Sequence, residues 1–85
     1  MQLVVSPMAV REMASLNRRD RAALIRKAEA FAAEPFAAHP WASPLRGAAD
    51  RARIRQGDWR VVMLIVRSRD VVVLERVAHR REVYR

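Results

Sequence analysis

The sequence contains no cysteine, which excludes a disulfide framework and a zinc site built from cysteine ligands. It also lacks a long hydrophobic run: the longest unbroken apolar stretch is the six residues of Val61–Val66, far short of the roughly 20 that span a bilayer. The first residues, Met1–Ser6, lack the basic segment of a secretory signal. We therefore expect a cytoplasmic protein that does not enter a membrane.

Glycine and proline are scarce, with 2 and 4 residues among 85, and 52% of the chain is hydrophobic. This composition is too apolar for a disordered chain and predicts a folded protein. The length allows a single domain, which we place at residues 1–85. A domain of this size buries only roughly 60–65% of the surface that its unfolded chain exposes, so we expect a partner to cover part of it.

Positive charge is abundant and unevenly distributed. The chain carries 17 Lys and Arg against 9 Asp and Glu, and Lys27 is its single lysine. Residues 1–50 hold 7 basic and 5 acidic residues, whereas residues 51–85 hold 10 and 4. A solvated arginine-rich surface explains scattered arginines, but a basic face is also the usual electrostatic footprint of a nucleic-acid partner.

Apolar periodicity predicts two helices after a short strand at Gln2–Val5. Ser6 followed by Pro7 is typical of a helix start, because serine caps a helix and proline fits its first position. This first helix is expected to run to about Asn17. A second helix, with Asp20 as its N-cap, carries apolar residues at helical spacing: Leu24, Ile25, Ala28, Phe31 and Ala32.

No periodicity survives between Glu34 and Asp50, a region that contains three prolines and a glycine. We therefore predict a connecting loop there. His39 and Trp41 lie within it. Trp41 is expected to pack the loop onto the core, and a single histidine makes no metal motif.

From Arg51 onward the period of the pattern changes to two, which predicts strands at Arg51–Gln56, Trp59–Val66 and Val71–Ala78, followed by a basic tail. The predicted fold class is α+β with the order β-α-α-β-β-β. Two N-terminal helices pack on one face of a small, four-stranded, mainly antiparallel sheet. The residues expected to face the helices alternate along one strand: Trp59, Val61, Met63 and Ile65.

Gly57 and Asp58 form the simplest connection between two of these strands, a two-residue hairpin turn. This turn places Arg55 directly opposite Arg60. Because side chains alternate across a sheet, Arg53 shares the same face. Like charges directly opposite each other are destabilising, and an anion between them would relieve the repulsion.

For the next hairpin, we take Ser68–Arg69 as the two-residue turn. It places Arg60 opposite Val77, with Glu75 and His79 diagonal to Arg60 on the same face. The three strands then predict one basic patch with Glu75 as its nearby carboxylate: Arg53, Arg55, Arg60, His79 and Arg81.

Such a patch suits chemistry on a phosphodiester. Arginines hold a phosphate bidentately and stabilise the additional charge of a pentavalent transition state. His79 is the candidate proton carrier, because histidine is the side chain that exchanges protons near neutral pH. Tyr84 is a candidate for stacking on a base. The sequence shows no metal-ligand cluster and no glycine-rich phosphate loop, so no metal or other cofactor is expected.

Three stretches together resemble the RelE branch of the RelE/ParE toxin superfamily: PLRG (Pro44–Gly47), RIRQGDWRVV (Arg53–Val62) and VAHRREVYR (Val77–Arg85). Their order, their spacing and the overall length agree with that branch over essentially the whole chain. The resemblance implies the toxin of a bacterial type II toxin–antitoxin module. RelE-type toxins cut mRNA in the ribosomal decoding site.

The resemblance also implies roles for strand residues. Arg53 and Arg55 match the paired basic residues of the family's second strand, and Arg60 matches the arginine interpreted as a transition-state stabiliser. The paired residues are often lysines in the family. Arginine, with a pKa above about 12, cannot readily act as a general base, so the identity of the base stays open.

In the tail, the basic residue interpreted as a proton donor or phosphate ligand falls on Arg80 or Arg81. His79 occupies a position that is His or Lys in relatives, and Tyr84 matches the tail tyrosine. This tail favours a ribosome-dependent endoribonuclease that cleaves translated mRNA by metal-free attack of the 2′-OH. Two alternatives stand beside it: a ParE-like toxin that poisons DNA gyrase, and a catalytically silent binding module.

The partners implied by the resemblance are a cognate antitoxin, the ribosome and the mRNA in its decoding site, with operator DNA bound through the antitoxin complex. We expect the antitoxin to cover apolar residues on the sheet face away from the helices, because a soluble monomer rarely exposes so much apolar surface. These residues are Val62, Leu64, Val66, Val71 and Val73.

Overall fold

The computed structural model describes residues 1–83, which begin with strand β1 (Gln2–Val5) and helix α1 (Pro7–Met13). The predicted cap of α1 is confirmed, since the Ser6 hydroxyl accepts a hydrogen bond of 3.0 Å from the backbone N–H of Ala9. This bond satisfies one of the backbone donors left without a partner at the helix start.

Helix α2 (Arg18–Ala33) begins earlier than predicted. Its N-cap is Asn17, whose side-chain oxygen accepts a bond of 2.7 Å from the backbone N–H of Asp20, so the prediction of Asp20 as N-cap is wrong. Asparagine and aspartate cap about equally well, and starting at the first of them adds most of a helical turn. At 16 residues α2 is the longest helix of residues 1–83, where no helix has the length and hydropathy needed to span a membrane.

The sheet has the strand order β1-β5-β4-β3-β2. Its remaining strands are β2 (Ala42–Pro44), β3 (Arg51–Gln56), β4 (Trp59–Val66) and β5 (Val71–His79). Strand β1 pairs parallel with β5, and the other neighbours are antiparallel. The predicted α+β, mainly antiparallel architecture is therefore confirmed.

The sheet has five strands rather than the predicted four, because β2 forms inside the region that we predicted as a loop. Three residues are too few to display a period of two. Pro44, which lacks a backbone donor, is tolerated because β2 is an edge strand with a neighbour on one side only.

The core lies between the helices and one face of the sheet. Val61 and Met63 of β4 are fully buried there, and Trp59 and Ile65 pack against the same cluster, so the predicted facing of β4 is confirmed. The helices contribute apolar residues to this cluster: Ala9, Met13, Leu24, Ala28, Phe31 and Ala32. Each large buried side chain contributes about 1.5–3 kcal/mol of hydrophobic stabilisation.

The register between β4 and β5 changes midway. From Val66–Val71 to Met63–Leu74 it matches the prediction, although the connection is a single 3-10 turn (Arg67–Arg69) followed by Asp70 at a φ of 54°. A bulge between Val62 and Met63 then shifts the pairing by one residue.

The predicted pairing of Arg60 with Val77 is therefore wrong, and Arg60 lies opposite Ala78. A carboxylate of α1 contacts β5 directly after the bulge: Glu12 accepts a bond of 2.8 Å from the backbone N–H of Val77 and one of 2.9 Å from Arg76 Nη2. A contact between residues so distant in sequence leaves no local pattern, and for this reason the bulge was not predicted.

Candidate nucleic-acid interface

The β3–β4 hairpin positions the two central arginines of the candidate site. Its turn consists of Gly57 and Asp58, and Gly57 has a φ of 56°, a conformation that glycine adopts without steric cost. Arg55 and Arg60 are direct cross-strand partners, as predicted. Arg53 lies two residues before Arg55, opposite Val62 on the same face. The turn thus brings together two of the predicted arginines with a third beside them.

The guanidinium of Arg60 is held by the turn itself. Its Nη1 donates hydrogen bonds of 2.8 Å to the carbonyl of Gly57 and 3.0 Å to the carbonyl of Trp59. Its Nε is buried and has no hydrogen-bond partner among residues 1–83. Buried donors in proteins are almost always paired, so this N–H is an exception among the described residues.

Beside this pair lies a cleft of about 350 Å³. It is lined by Lys27, Pro40, Trp41, Arg55, Gly57 and Arg60. The backbone of Arg55 fixes two of the walls, since its carbonyl accepts a bond of 2.8 Å from Lys27 Nζ and its N–H donates 2.9 Å to the Trp41 carbonyl. We refer to this space below as the basic cleft.

Lys27 reaches the cleft from the flank of α2. Its Nζ lies 6.0 Å from the centre of the Trp41 ring, within the range of a cation–π contact. Burial lowers the pKa of the Lys27 ammonium below its ordinary value of 10.5, and the positive charge of Arg55 lowers it further. The cleft therefore disfavours a third positive charge as long as no anion is present.

Sequence reasoning missed Lys27 as a site residue. Two signals were present: it is the only lysine of the chain, and it lies three residues after Leu24 and four before Phe31, beside the buried stripe of α2. Trp41 was expected to pack the loop onto the core. This is confirmed, and the residue also lines the basic cleft.

His39 stacks on Trp41 with ring centres 4.6 Å apart, and its Nε2 lies 2.8 Å from the Glu34 carbonyl oxygen. These contacts agree with the interpretation of His39 as part of a packed loop.

The basic tail approaches the hairpin turn through the short helix α3 (Arg80–Val83). The backbone N–H of Arg80 donates a bond of 2.7 Å to the Asp58 carbonyl, and Arg80 Nε lies 3.8 Å from Asp58 Oδ1. Arg81 is exposed. Of the two alternatives for the tail cation, Arg80 is therefore the one anchored to the turn that carries Arg60. Tyr84 lies outside the described residues.

His79 does not share the face of Arg60, and this part of the predicted patch is wrong. The bulge makes His79 the cross-strand partner of Trp59, and the two rings meet edge to face with centres 5.4 Å apart. His79 therefore lies on the side of the sheet that Trp59 faces, and its Nδ1 accepts a 3.3 Å bond from the backbone N–H of Arg81.

Glu75 was predicted to lie near the patch as its carboxylate. It is engaged instead by Arg51, in a two-pronged ion pair with distances of 2.8 and 3.2 Å. Hydrogen bonds and the charge of Glu75 raise the pKa of Arg51. Glu75 thus reaches across the sheet to the first residue of β3 and not to Arg60.

The other half of this sheet face is apolar. The five residues that we expected an antitoxin to cover alternate with buried core residues and are half-buried, on the face away from the helices. Val4, which pairs with Val73 and is 43% exposed, extends the same surface onto β1. We refer to Val4, Val62, Leu64, Val66, Val71 and Val73 as the apolar face.

No protein-family model and no curated protein sequence matches this chain. Solved structures do match it. In the toxin–antitoxin complex RelBE2 from Mycobacterium tuberculosis, the matched chain is 28% identical with a TM-score of 0.73, and the match covers 92% of this chain and 95% of that chain. The isolated RelE toxin of E. coli is 25% identical with a TM-score of 0.79, covering 98% and 89%.

A YoeB/ParE toxin from Agrobacterium tumefaciens shares the fold, with a TM-score of 0.75 at 18% identity over 93% of this chain and 98% of that one. The match to RelE structures extends over nearly the whole described chain. It confirms the resemblance to the RelE/ParE superfamily that the three sequence stretches indicate.

Proposed function

We propose that this RelE-like chain is the toxin of a type II toxin–antitoxin module and that it cleaves translated mRNA on the ribosome. The observation that carries the proposal is the Arg55–Arg60 pair, two arginines that the hairpin holds opposite each other beside the basic cleft. Two guanidinium groups in this arrangement suit a phosphodiester whose negative charge grows as the transition state forms.

In the proposed reaction, the 2′-OH of the substrate attacks the adjacent phosphorus. The bond from phosphorus to the 5′-oxygen of the next nucleotide breaks, which leaves a 2′,3′-cyclic phosphate and a free 5′-OH. One proton leaves the attacking 2′-OH and one reaches the departing 5′-oxygen. Arg60 stabilises the developing charge, because its bonds to the Gly57 and Trp59 carbonyls orient the guanidinium before the substrate arrives.

The remaining basic residues are assigned to binding. Arg53 and Arg55 contact the RNA backbone along β3. Arg80, anchored to Asp58, supplies the second cation near the scissile phosphate, and Arg81 lies next to it at the start of α3. Such contacts fix the position of the RNA without reading its sequence.

The last two sequence-derived site residues receive separate assignments. Tyr84 is assigned to stacking on or orienting the base. We assign His79 to holding the tail through the backbone N–H of Arg81 instead of to proton transfer, because its ring packs on Trp59 on the side of the sheet away from Arg60.

The proposed partner is a cognate antitoxin that covers the apolar face. Support comes from the solved structure of a RelBE2 toxin–antitoxin complex whose matched chain is 28% identical to this one. Contiguous exposed apolar surface of this kind marks interaction sites in soluble proteins. The ribosome and its mRNA place the activity in the cytoplasm, and operator DNA is expected to be bound through the antitoxin complex.

Primer extension on a message translated in a purified system tests the nuclease. The purified chain should cut ribosome-bound mRNA and leave a 2′,3′-cyclic phosphate. A matched message with a single 2′-deoxy sugar at the cut site should resist cleavage there, because the attacking group is missing. The same message without ribosomes is the control for ribosome dependence.

A gyrase cleavage assay run beside it separates the alternatives. If mRNA stays intact and gyrase is trapped on DNA, the result favours a ParE-like function over a nuclease. Intact mRNA without gyrase trapping would leave a silent binding module. Co-expression with the cognate antitoxin should restore growth and yield a tight complex. Free expression of the chain alone, without growth inhibition, would contradict the toxin assignment.

A further inference from the structure

The basic cleft has a lining of unusual charge. Three cations, Lys27, Arg55 and Arg60, line it together with Trp41, and no carboxylate among the described residues does so. Cations gathered without a counter-charge raise each other's energy, and an anion reverses that cost. The lining therefore selects for a negatively charged ligand.

Contacts within the fold hold these groups in place. Lys27 is fixed by its 2.8 Å bond to the Arg55 carbonyl, and Arg60 by its two bonds to the turn. The buried Nε of Arg60, without a partner among residues 1–83, adds an unsatisfied donor. A buried donor without a partner is rare in proteins.

Trp41 adds an aromatic surface to the charged lining. Trp41 lines the cleft, while His39, which stacks on its ring, does not. A volume of about 350 Å³ falls within the range of small-molecule sites, which is about 300–1,000 Å³. Sites for single-stranded nucleic acid combine cations, which bind a phosphate, with an aromatic ring, which stacks on a base.

We propose that the basic cleft binds one nucleotide of single-stranded RNA, with its phosphate held by Lys27, Arg55 and Arg60 and its base against Trp41. The proposal rests on the proposed function for the nature of the ligand. It adds Lys27 and Trp41, which the RelE resemblance did not point to, as binding residues. The basic residues of the strands are all arginines, so Lys27 is the residue that contributes an amine to the cleft.

The test uses the two tryptophans as reporters. A trinucleotide RNA with methylated 2′-hydroxyls, which cannot be cut by 2′-OH attack, is titrated into the 15N-labelled chain. The indole N–H signal of Trp41 should move, whereas that of Trp59, which packs on His79 outside the cleft, should stay in place. Movement of neither signal would overturn the proposal.

Substitutions of Lys27 measure its share of the binding. Lys27→Gln should weaken RNA binding about tenfold, and Lys27→Arg should restore most of it, because arginine keeps the charge. The plot of log affinity against log salt should become shallower by about 0.7 in Lys27→Gln, as expected for one lost phosphate contact. Arg26→Gln, an equal change of charge at an exposed neighbour on α2, is the control and should bind like the wild type.

The outcomes separate this proposal from the proposed function. If Lys27→Gln binds RNA like the wild type and still cuts ribosome-bound mRNA, the proposed RNA site in the basic cleft is wrong and the proposed nuclease function stands. If RNA moves the Trp41 signal specifically but the chain leaves ribosome-bound mRNA intact, the proposed RNA site is supported and the proposed nuclease function is wrong. Movement caused by an acidic antitoxin peptide but not by RNA would show a protein-binding cleft. Thermal unfolding of each variant confirms that it is folded.

Discussion

Arg55 and Arg60 lie directly opposite each other across the β3–β4 hairpin, two cations at a cross-strand position where opposite charges or apolar side chains would stabilise the sheet. The fold tolerates the pair because Arg55 is exposed and Arg60 turns its guanidinium onto the carbonyls of Gly57 and Trp59. Like charges in this position cost stability, and an anion between them would relieve the repulsion.

Removing one charge of this pair should stabilise the free chain. Arg55→Gln is expected to raise the free energy of unfolding by about 0.2–1 kcal/mol at low salt, because it removes a like-charge cross-strand pair. The gain should shrink as salt screens the repulsion. Urea unfolding at two salt concentrations measures it, with Arg69→Gln in the exposed 3-10 turn as the control. A loss of stability in Arg55→Gln would contradict the expectation.

Arg60 should be indispensable for cleavage. Arg60→Ala is expected to lower the rate of mRNA cleavage by about 100- to 1,000-fold, the usual effect of losing one donor to the transition state. Single-turnover cleavage of ribosome-bound mRNA gives the rate, and circular dichroism verifies the fold. Cleavage by Arg60→Ala at the wild-type rate would show that the catalytic site lies elsewhere.

The single lysine makes its own pKa measurable, because selective 13C labelling of lysine yields one side-chain signal. The pKa of Lys27 should lie below 10.5, since burial and Arg55 both disfavour its charge. Arg55→Gln should raise this pKa by removing the second cause, and bound RNA should raise it too. Titration of that signal by NMR gives the pKa of Lys27 in the wild type, in Arg55→Gln and with bound RNA. The same Lys27 pKa in the wild type and in Arg55→Gln would argue against a shared cleft.

The same shift predicts how stability depends on pH. Because the pKa of Lys27 is lower in the folded chain, the unfolded chain binds more protons between the folded value and 10.5. The free energy of unfolding of the wild type, relative to Lys27→Met, should therefore rise with pH across that window. Paired urea titrations at several pH values measure this difference, and a fall over that range would contradict the sign.

His79 should matter for stability more than for proton transfer. His79→Gln is expected to lose about 0.5–1.5 kcal/mol from its edge-to-face contact with Trp59, and to leave the shape of the pH–rate profile of cleavage unchanged. His39→Gln, in the loop stacked on Trp41, is the matched control for losing a histidine. A pH profile that flattens only in His79→Gln would restore His79 as the proton carrier.

Glu12 should stabilise the bulge of β5. Glu12→Ala is expected to lower the free energy of unfolding by about 1.5–3 kcal/mol, because it removes a charged acceptor from the backbone N–H of Val77 and from Arg76. Glu12→Gln, which keeps one oxygen acceptor, should lose less. Denaturant unfolding compares the two variants, and equal stabilities for Glu12→Ala and the wild type would remove Glu12 as the cause of the shifted register.

The sequence by itself determined the features that depend on neighbours along the chain. Ser6 and Pro7 start a helix, and the alternation of Trp59, Val61 and Met63 assigns one face of β4 to the core. A two-residue turn at Gly57 allows only one register, so the Arg55–Arg60 pair followed from the sequence. Each of these features follows from residues that are close in sequence, and the tertiary structure agrees with each.

Only the tertiary structure decided which distant residues meet. The bulge moves His79 to the Trp59 side and is contacted by Glu12, more than 60 residues away, and the edge strand β2 exists because β3 is there to pair with it. Lys27 joins Arg55 because packing of α2 brings its flank to the edge of the sheet. Periodicity reports which side chains share a face, but the partner across that face is set by how the elements pack.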